Sequence, residues 1–242
     1  MHFKNIQTTI MIKKYKHLFF DLDKTLWDFE KNSKETLTEL YNNYKLSEKN
    51  IESFDVFFEK YTEINIGLWD LYRKGEIKKE YLSLQRFELT FNKFGFSDVE
   101  LAQTFANDYI SISPQKTHLF PGAIEVLEEL CIKYELHVIT NGFKEVQYKK
   151  LNNSGLNNFF KTIITSEEAG FMKPDPKVFL YALEKAEATA SESIMIGDDL
   201  EVDILSAQNF GMDQIFVNYE AISHDEKPTF EITNLFTLLE IF

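Results

Sequence analysis

The chain has 242 residues, which is enough for one large domain or for a core domain with a smaller partner domain. Hydrophobic residues make up 44% of the chain and charged residues 27%, a balance typical of globular proteins and not of disordered ones. The net charge of −13 argues against a basic groove for nucleic acid and against attraction to anionic membranes.

Targeting signals and disulfides are not expected from this sequence. No apolar run approaches the length of a transmembrane helix, and the stretch MHFKNIQTTIMIKK lacks the apolar core and cleavage site of a signal peptide. We interpret that stretch as a short extension, in which Met11 could be an alternative start. The single cysteine, Cys131, cannot form an intramolecular disulfide, and we expect it to be buried in a helix. These features predict a cytoplasmic protein.

The first predicted elements are one strand and a block of helices. Residues 15–20 form a short apolar run that suits a buried parallel strand. Residues 30–113 contain no proline and repeat apolar side chains at helical spacing, which predicts four or five packed helices. Breaks near 46–50, 73–80 and 94–100 separate these helices.

From Pro114 onward, strands and helices alternate. The predicted strands cover 135–140, 161–165, 193–197 and 214–218, and the predicted helices cover 121–134, 145–153, 175–186 and 201–211. This alternation predicts an α/β fold with a doubly wound parallel sheet, a Rossmann-like core. The core would comprise residues 1–27 and 114–242. Residues 28–113 would be an inserted helical domain above the carboxyl ends of the strands, where doubly wound folds place their sites.

Polar side chains follow three predicted strands and occupy one loop. They are Asp21 and Asp23, Thr140 and Asn141, Asp198 and Asp199 with Asp203 one turn later, and Lys173 in the loop GFMKPDP. Because the carboxyl ends of parallel strands meet at one edge of the sheet, we expect these groups to converge. Crowded carboxylates need a cation, and hard oxygen ligands suit Mg²⁺ completed by a substrate phosphate. Asp21 and Asp198 are the predicted side-chain ligands.

The same residues predict phosphoryl transfer. A carboxylate can attack phosphorus, so Asp21 could form an aspartyl phosphate. Asp23 shares one side of the extended segment with Asp21 and could protonate the leaving alkoxide, then accept a proton from water. Thr140 and Lys173 would hold the transferring oxygens and offset their charge. The expected partner is a small phosphorylated metabolite.

The motifs DLDKTL, TNG, KPDP and GDDLEVD resemble, in this order, those of the haloacid dehalogenase (HAD) superfamily of phosphatases. The resemblance covers essentially the whole chain. It implies a Rossmann-like HAD core with an inserted all-helical type 1 cap. It also implies a Mg²⁺-dependent phosphomonoesterase.

The resemblance assigns roles to individual residues. It implies that Asp21 is the nucleophile and Asp23 the general acid and base. Asp21, Asp198 and the backbone carbonyl of Asp23 would be the metal ligands. The remaining implied site residues are Thr140, Asn141 and Lys173 for phosphate, and Asp203 and Asp199 as support for the metal ligands.

Longer stretches are similar to one branch of the superfamily. DLDKTLWDFEKNS, INIGLWDLYRKGEI, ITNGF and SEEAGFMKPDP are similar to the YjjG-like pyrimidine 5′-nucleotidases, which implies nucleoside monophosphates as substrates. Lys24 departs from this branch, where the position is often acidic, but it lies between the motif residues and puts none of their catalytic roles in doubt. Trp69 could stack a base, Arg73 could bind base or phosphate oxygens, and Trp27 could line the pocket. Packing is the alternative for these three residues.

Several alternatives stay open at the level of the sequence. The enzyme could be a broad sugar-phosphate or phosphoglycolate phosphatase, or a phosphomutase, and the fold could also serve an inactive binding protein. A carbon–halogen hydrolase is disfavoured because it needs no acid at the position of Asp23. Asp199 and Asp203 could instead act as helix N-terminal charges. We expect a monomer or weak homodimer.

Overall fold

The structure is a computed structural model that describes residues 15–242, and its central feature is a parallel sheet. The strands are β1 His17–Phe20, β2 Glu135–Thr140, β3 Phe160–Thr165, β4 Ser193–Gly197, β5 Asp213–Val217 and β6 Phe230–Ile232. All neighbouring strands are parallel, in the order β3-β2-β1-β4-β5-β6. The order reverses at β1, where a doubly wound sheet opens its binding crevice. The predicted doubly wound fold is confirmed; the predicted extension and Met11 start lie outside the described residues.

Helices connect these strands. They are α1 Phe29–Asn43, α2 Phe54–Arg73, α3 Lys79–Lys93, α4 Val99–Ile112, α5 Ala123–Leu130, α6 Lys144–Asn153, α7 Ser166–Ala169, α8 Pro176–Ala186, α9 Ser206–Phe210 and α10 Leu238–Ile241. A π-helical segment, Leu200–Leu205, leads into α9, so the helix predicted over 201–211 is split. Short 3-10 turns lie at Leu46–Glu48, Ser113–Gln115, Asn157–Phe159, Ala190–Glu192 and Leu235–Thr237.

The prediction of a buried Cys131 is wrong, because this cysteine is exposed. The helix that was expected over 121–134 is shorter and ends at Leu130, one residue before it. The buried side chains of α5 are Ala123, Val126, Leu127 and Leu130, at helical spacing. Position 131 would continue that stripe in a longer helix, but the helix ends before it and the Cys131 side chain is left exposed.

The chain divides into two compact units, and the first contains the sheet. This unit comprises the described residues up to Phe29 together with Thr117–Phe242. Leu18 and Phe20 belong to one buried cluster and Phe19 to another, because successive side chains of a strand point to opposite faces. Burial on both faces explains why β1 is a continuous apolar run. Asp21 follows directly after it, at the carboxyl end of the strand.

The second unit, Glu30–Lys116, is helical and lies in the chain between β1 and the other strands. Its boundaries are two and three residues beyond the predicted ones. Helix α2 packs against α3, and α3 against α4. The buried core is rich in aromatic side chains, namely Tyr41, Phe57, Tyr61, Phe87, Phe91, Phe105 and Tyr109. No helix between residues 15 and 242 is both long enough and apolar enough to cross a bilayer.

Candidate active site

Lys173 connects Asp21, at the end of β1, with Asp203, in the helical segment that follows β4. Its Nζ donates hydrogen bonds to Asp21 Oδ1 at 2.7 Å, to Asp203 Oδ1 at 2.6 Å and to the carbonyl of Ile139 at 2.8 Å. The side chain of Lys173 is only 1% exposed. Asp21 N donates to the carbonyl of Ile196 at 2.9 Å, which continues the sheet ladder beyond β1. One buried ammonium therefore gathers groups that lie far apart in the sequence.

Asp198 and Asp203 complete an acidic cluster with Asp21. One carboxylate oxygen of each residue lies within 4.8 Å of the other two. Thr25 Oγ1 donates to Asp198 Oδ1 at 2.9 Å, which orients that carboxylate. Gly197 permits the close approach of Asp203, because a Cβ at this position would lie 2.3 Å from Asp203 Oδ2.

The cluster holds three carboxylates against one ammonium. Burial raises the pKa of Asp21 well above its usual value, and Lys173 offsets this only in part. Burial, together with the charge of Asp203, raises the pKa of Asp198 to about 7. Burial also raises the pKa of Asp203. Burial alone would lower the pKa of Lys173, but the carboxylates of Asp203 and Asp21 hold it above its ordinary value.

Two buried carboxylates and one partly buried carboxylate face one buried ammonium, so the cluster has more acidic than basic groups. A divalent cation would stabilise the ionised forms of the three carboxylates. Carboxylate oxygens are also the ligands that Mg²⁺ prefers. The residues present therefore fit the Mg²⁺ that the sequence predicts.

Asp23 is held by two residues of α6 that sequence reasoning missed. Lys150 Nζ donates to Asp23 Oδ1 at 2.6 Å, and Gln147 Nε2 donates to Oδ2 at 2.9 Å. Gln147 and Lys150 are three positions apart, so they share one face of the helix. In the sequence KEVQYKKLNN, Lys150 is not distinguishable from an ordinary surface lysine. Only its spacing of three positions from Gln147 could have indicated that Lys150 faces the site.

Gln147 also contacts Thr140. Its Nε2 donates to Thr140 Oγ1 at 2.6 Å, and the N–H of Gly142 donates to the same oxygen at 3.1 Å. The two protons of one amide thus connect the predicted acid–base residue, Asp23, to the predicted phosphate-binding hydroxyl. A Cβ at Gly142 would lie 2.1 Å from Gln147 Nε2, so the turn after β2 needs a glycine.

The side-chain amide of Asn141 pairs with the backbone of Lys173, and the phosphate-binding role of Asn141 stays a prediction. Its Nδ2 donates to the carbonyl of Lys173 at 2.8 Å, and its Oδ1 accepts from the N–H of Lys173 at 2.9 Å. Both ends of the side-chain amide are used in this way. Asn141 therefore fixes the loop that carries Lys173.

Asp199 and Asp203 support their neighbours differently. Asp199 Oδ1 accepts from the N–H groups of Glu201 and Val202 at 3.0 and 2.9 Å, which caps the helical segment Leu200–Leu205. This matches the helix-terminus alternative for Asp199. Asp203 Oδ2 accepts from the N–H of Asp199 at 3.2 Å, and its Oδ1 contacts Lys173.

The sequence can now be compared with known proteins. Residues 18–217 match a family model described as haloacid dehalogenase-like hydrolase. The chain belongs to this HAD family. The resemblance predicted from the four motifs is thereby confirmed.

Relatives of this HAD hydrolase include phosphatases. The pyrimidine 5′-nucleotidase YjjG from Escherichia coli (strain K12) is 31% identical over 231 residues, 94% of this chain and 98% of the relative. Glyceraldehyde 3-phosphate phosphatase from Methanothermobacter thermautotrophicus is 30% identical over 226 residues, 90% and 94% of the two chains. A solved structure of the putative HAD-hydrolase YfnB from Bacillus subtilis, bound to magnesium, has a TM-score of 0.85 at 30% identity, covering 94% of this chain and 98% of that one.

The aromatic residues predicted to contact substrate in this HAD chain lie in different units. Trp27 is in the sheet-containing unit and is fully buried in its core cluster, with Lys150 Nζ 4.2 Å from the centre of its ring. This burial and the contact with the Lys150 ammonium agree with the packing alternative for Trp27, and its pocket role stays a prediction. Trp69 and Arg73 lie in the last two turns of α2 in the helical unit, where Arg73 pairs with Asp70. Their contact with substrate stays a prediction.

Proposed function

We propose that this HAD hydrolase is a Mg²⁺-dependent phosphomonoesterase that works through an aspartyl phosphate and prefers pyrimidine nucleoside 5′-monophosphates. The observation that carries the proposal is the separate environment of the two aspartates of DLD. Asp21 meets the buried Lys173 ammonium, whereas Asp23 is held by Lys150 and Gln147. Different partners suit different chemical roles.

In the first step, a carboxylate oxygen of Asp21 attacks phosphorus. The bond between phosphorus and the ester oxygen breaks, and the proton of Asp23 passes to the departing alkoxide. Lys173 Nζ and Thr140 Oγ1 donate hydrogen bonds to the transferring oxygens. The products of this step are the free alcohol and a phosphorylated Asp21.

In the second step, water attacks phosphorus and the bond to the Asp21 oxygen breaks. Asp23 accepts the proton of the water, so both aspartates return to their starting forms with release of inorganic phosphate. Asp21, Asp198 and the backbone carbonyl of Asp23 would hold Mg²⁺, which supplies positive charge against the phosphate oxygens. Asp203 acts through Lys173, whose ammonium it holds toward Asp21.

The pyrimidine preference rests on likeness to the nucleotidases and on the helical unit. YjjG is named as a pyrimidine 5′-nucleotidase and is similar along nearly the whole chain. Trp69 is the residue we assign to base stacking and Arg73 the residue for base or phosphate oxygens. We also assign the enzyme to the cytoplasm, as a monomer or weak homodimer. We assign it no nucleic-acid or membrane partner, a proposal supported by its net charge of −13.

A broad sugar-phosphate phosphatase is the second candidate. The similarity to a glyceraldehyde 3-phosphate phosphatase favours it, and the proposed chemistry would be the same. A phosphomutase would return the phosphoryl group to a sugar without releasing phosphate. An inactive binding protein is disfavoured because Asp21, Asp23 and Asp198 are all present.

A substrate screen tests the proposal. Phosphate release is measured with Mg²⁺ and with EDTA over nucleoside monophosphates, sugar phosphates including glyceraldehyde 3-phosphate, and phosphoglycolate. We expect kcat/KM to be highest for pyrimidine nucleoside monophosphates and to vanish with EDTA or in Asp21→Asn. A preference for glyceraldehyde 3-phosphate would select the second candidate. Absence of phosphate release from every substrate would overturn both.

A further inference from the structure

Three potential metal ligands lie at the start of β1 and β2, away from the catalytic aspartates. His17 is the first residue of β1 and is paired with Glu135, the first residue of β2. His137 lies two positions after Glu135, so these two side chains point to the same face of the sheet. Asp21 is four residues beyond His17, which corresponds to about 13 Å along a strand. This cluster is therefore separate from the proposed Mg²⁺ site.

The distances within the cluster are those of a metal site. His17 Nδ1 lies 3.2 Å from His137 Nε2 and 3.3 Å from Glu135 Oε2. One ligand atom from each of the three residues lies within 4.8 Å of the other two. In a tetrahedral zinc site with bonds of about 2.0–2.1 Å, neighbouring ligand atoms are about 3.3 Å apart. Two of the three ligand pairs already have this spacing.

Surrounding groups orient two of the three ligand side chains, those of His137 and Glu135. Thr162 Oγ1 contacts His137 Nδ1, and the ring of Phe19 stacks on that imidazole with 4.6 Å between ring centres. Metal-bound imidazoles commonly use their second nitrogen in such a hydrogen bond. Lys161 Nζ contacts Glu135 Oε1 at 2.7 Å, while the other oxygen faces His17.

Hydrogen bonds among His17, Glu135 and His137 cannot satisfy all three ligand atoms at once. A single proton on His17 Nδ1 can be donated fully to Glu135 or to His137, but not to both. If His137 Nε2 carries the proton instead, the lone pair of His17 Nδ1 faces the carboxylate. One cation between the three atoms would contact all of them.

We propose that His17, Glu135 and His137 bind one divalent ion of the Zn²⁺ class, which ties β1 to β2. Two imidazoles and one carboxylate suit Zn²⁺, whereas Mg²⁺ prefers oxygen ligands. The side chain of Glu135 is 44% exposed, so solvent can supply the fourth ligand. This site is independent of the proposed phosphatase function.

The test uses the full chain, stripped of metal and then supplied with excess Mg²⁺ to fill the aspartate site. Co²⁺ is titrated first, because tetrahedral Co²⁺ gives visible absorption bands, and Zn²⁺ is then added to displace it. We expect one equivalent to bind. Glu135→Gln and His17→Gln should each weaken binding at least about tenfold. Asp198→Asn should bind the same equivalent, since it leaves this cluster intact.

Two controls keep the test decisive. Glu192→Gln removes a partly exposed carboxylate that pairs with Lys16 near the start of β4, and this variant should bind Zn²⁺ normally. Glu135→Gln should retain kcat/KM for phosphate release with Mg²⁺ within about twofold, since it changes an exposed side chain, which shows that the variant is folded. No Co²⁺ or Zn²⁺ binding in the presence of Mg²⁺ would overturn the proposal. Equal binding by wild type, His17→Gln and Glu135→Gln would also overturn it.

Discussion

Replacing Lys150 by Met should impair catalysis through Asp23. Lys150 Nζ lies 2.6 Å from Asp23 Oδ1, and the Lys150 side chain is only 5% exposed. Methionine keeps much of the packing against Trp27 but removes the charge. Hydrogen bonds to charged groups contribute about 1.5–3 kcal/mol, and we expect the lower end because Asp23 is 27% exposed. The free energy of unfolding should therefore fall by roughly 1–2 kcal/mol.

The effect on rate should depend on the leaving group. General acid catalysis contributes about 10²–10⁴-fold, so a misplaced Asp23 should lower kcat by roughly 10–100-fold for a nucleoside monophosphate. p-Nitrophenolate leaves without protonation, so kcat for p-nitrophenyl phosphate should fall by less. Steady-state kinetics of Lys150→Met on both substrates measure this difference. The matched control is Lys149→Met, which removes an exposed lysine one position away.

Two results would refute this reasoning. One is an equal loss of kcat on both substrates, which would indicate general damage and not loss of acid catalysis. The other is a Lys149→Met variant as impaired as Lys150→Met, which would mean that the contact with Asp23 does not matter.

Three further predictions concern the acidic cluster and the helical unit. Gly197→Ala should reduce activity and lower the free energy of unfolding, measured in urea, by about 1–3 kcal/mol, because the alanine Cβ would lie 2.3 Å from Asp203 Oδ2. An unfolding free energy and activity equal to those of the wild type would contradict this. Asp198 has its pKa raised by burial from 3.8 to about 7, so the metal-free native state binds more protons than the unfolded state between these values. The free energy of unfolding of the metal-free protein should thus fall as pH rises from about 4 to 7. Mg²⁺ should raise Tm more at pH 7.5 than at pH 5, and a larger rise of Tm at pH 5 would contradict this. Trp69→Ala should raise KM for nucleotides more than for p-nitrophenyl phosphate, and equal changes would reject base stacking.

The parts of the fold that follow from local patterns were predictable. Alternating strands and helices after Pro114 predict a doubly wound sheet, because few other topologies accommodate them. The grouping of Asp21, Lys173 and Asp203 follows from the rule that sites form at the carboxyl ends of parallel strands. These predictions needed no knowledge of side-chain conformations.

Contacts set by helix register and packing were not predictable. The Lys150–Asp23 pair joins residues 127 positions apart, and nothing in KEVQYKKLNN says which lysine faces the sheet. The same uncertainty left the pocket and packing roles of Trp27 both open, because its burial depends on α6 and the core. The pairing of the Asn141 amide with the Lys173 backbone was also beyond sequence reasoning, because it depends on how two loops meet. Rules based on strand ends do not contain this information.

The most direct test of the proposed mechanism is a search for phosphorylated Asp21. The enzyme is mixed with Mg²⁺ and a pyrimidine nucleoside monophosphate, quenched in acid within one turnover, digested and analysed by mass spectrometry. We predict that the peptide containing FFDLDK transiently carries one phosphoryl group on Asp21, and that Asp21→Asn carries none and releases no phosphate. Rapid phosphate release by the wild type without any phosphorylated peptide, or undiminished release by Asp21→Asn, would contradict the account.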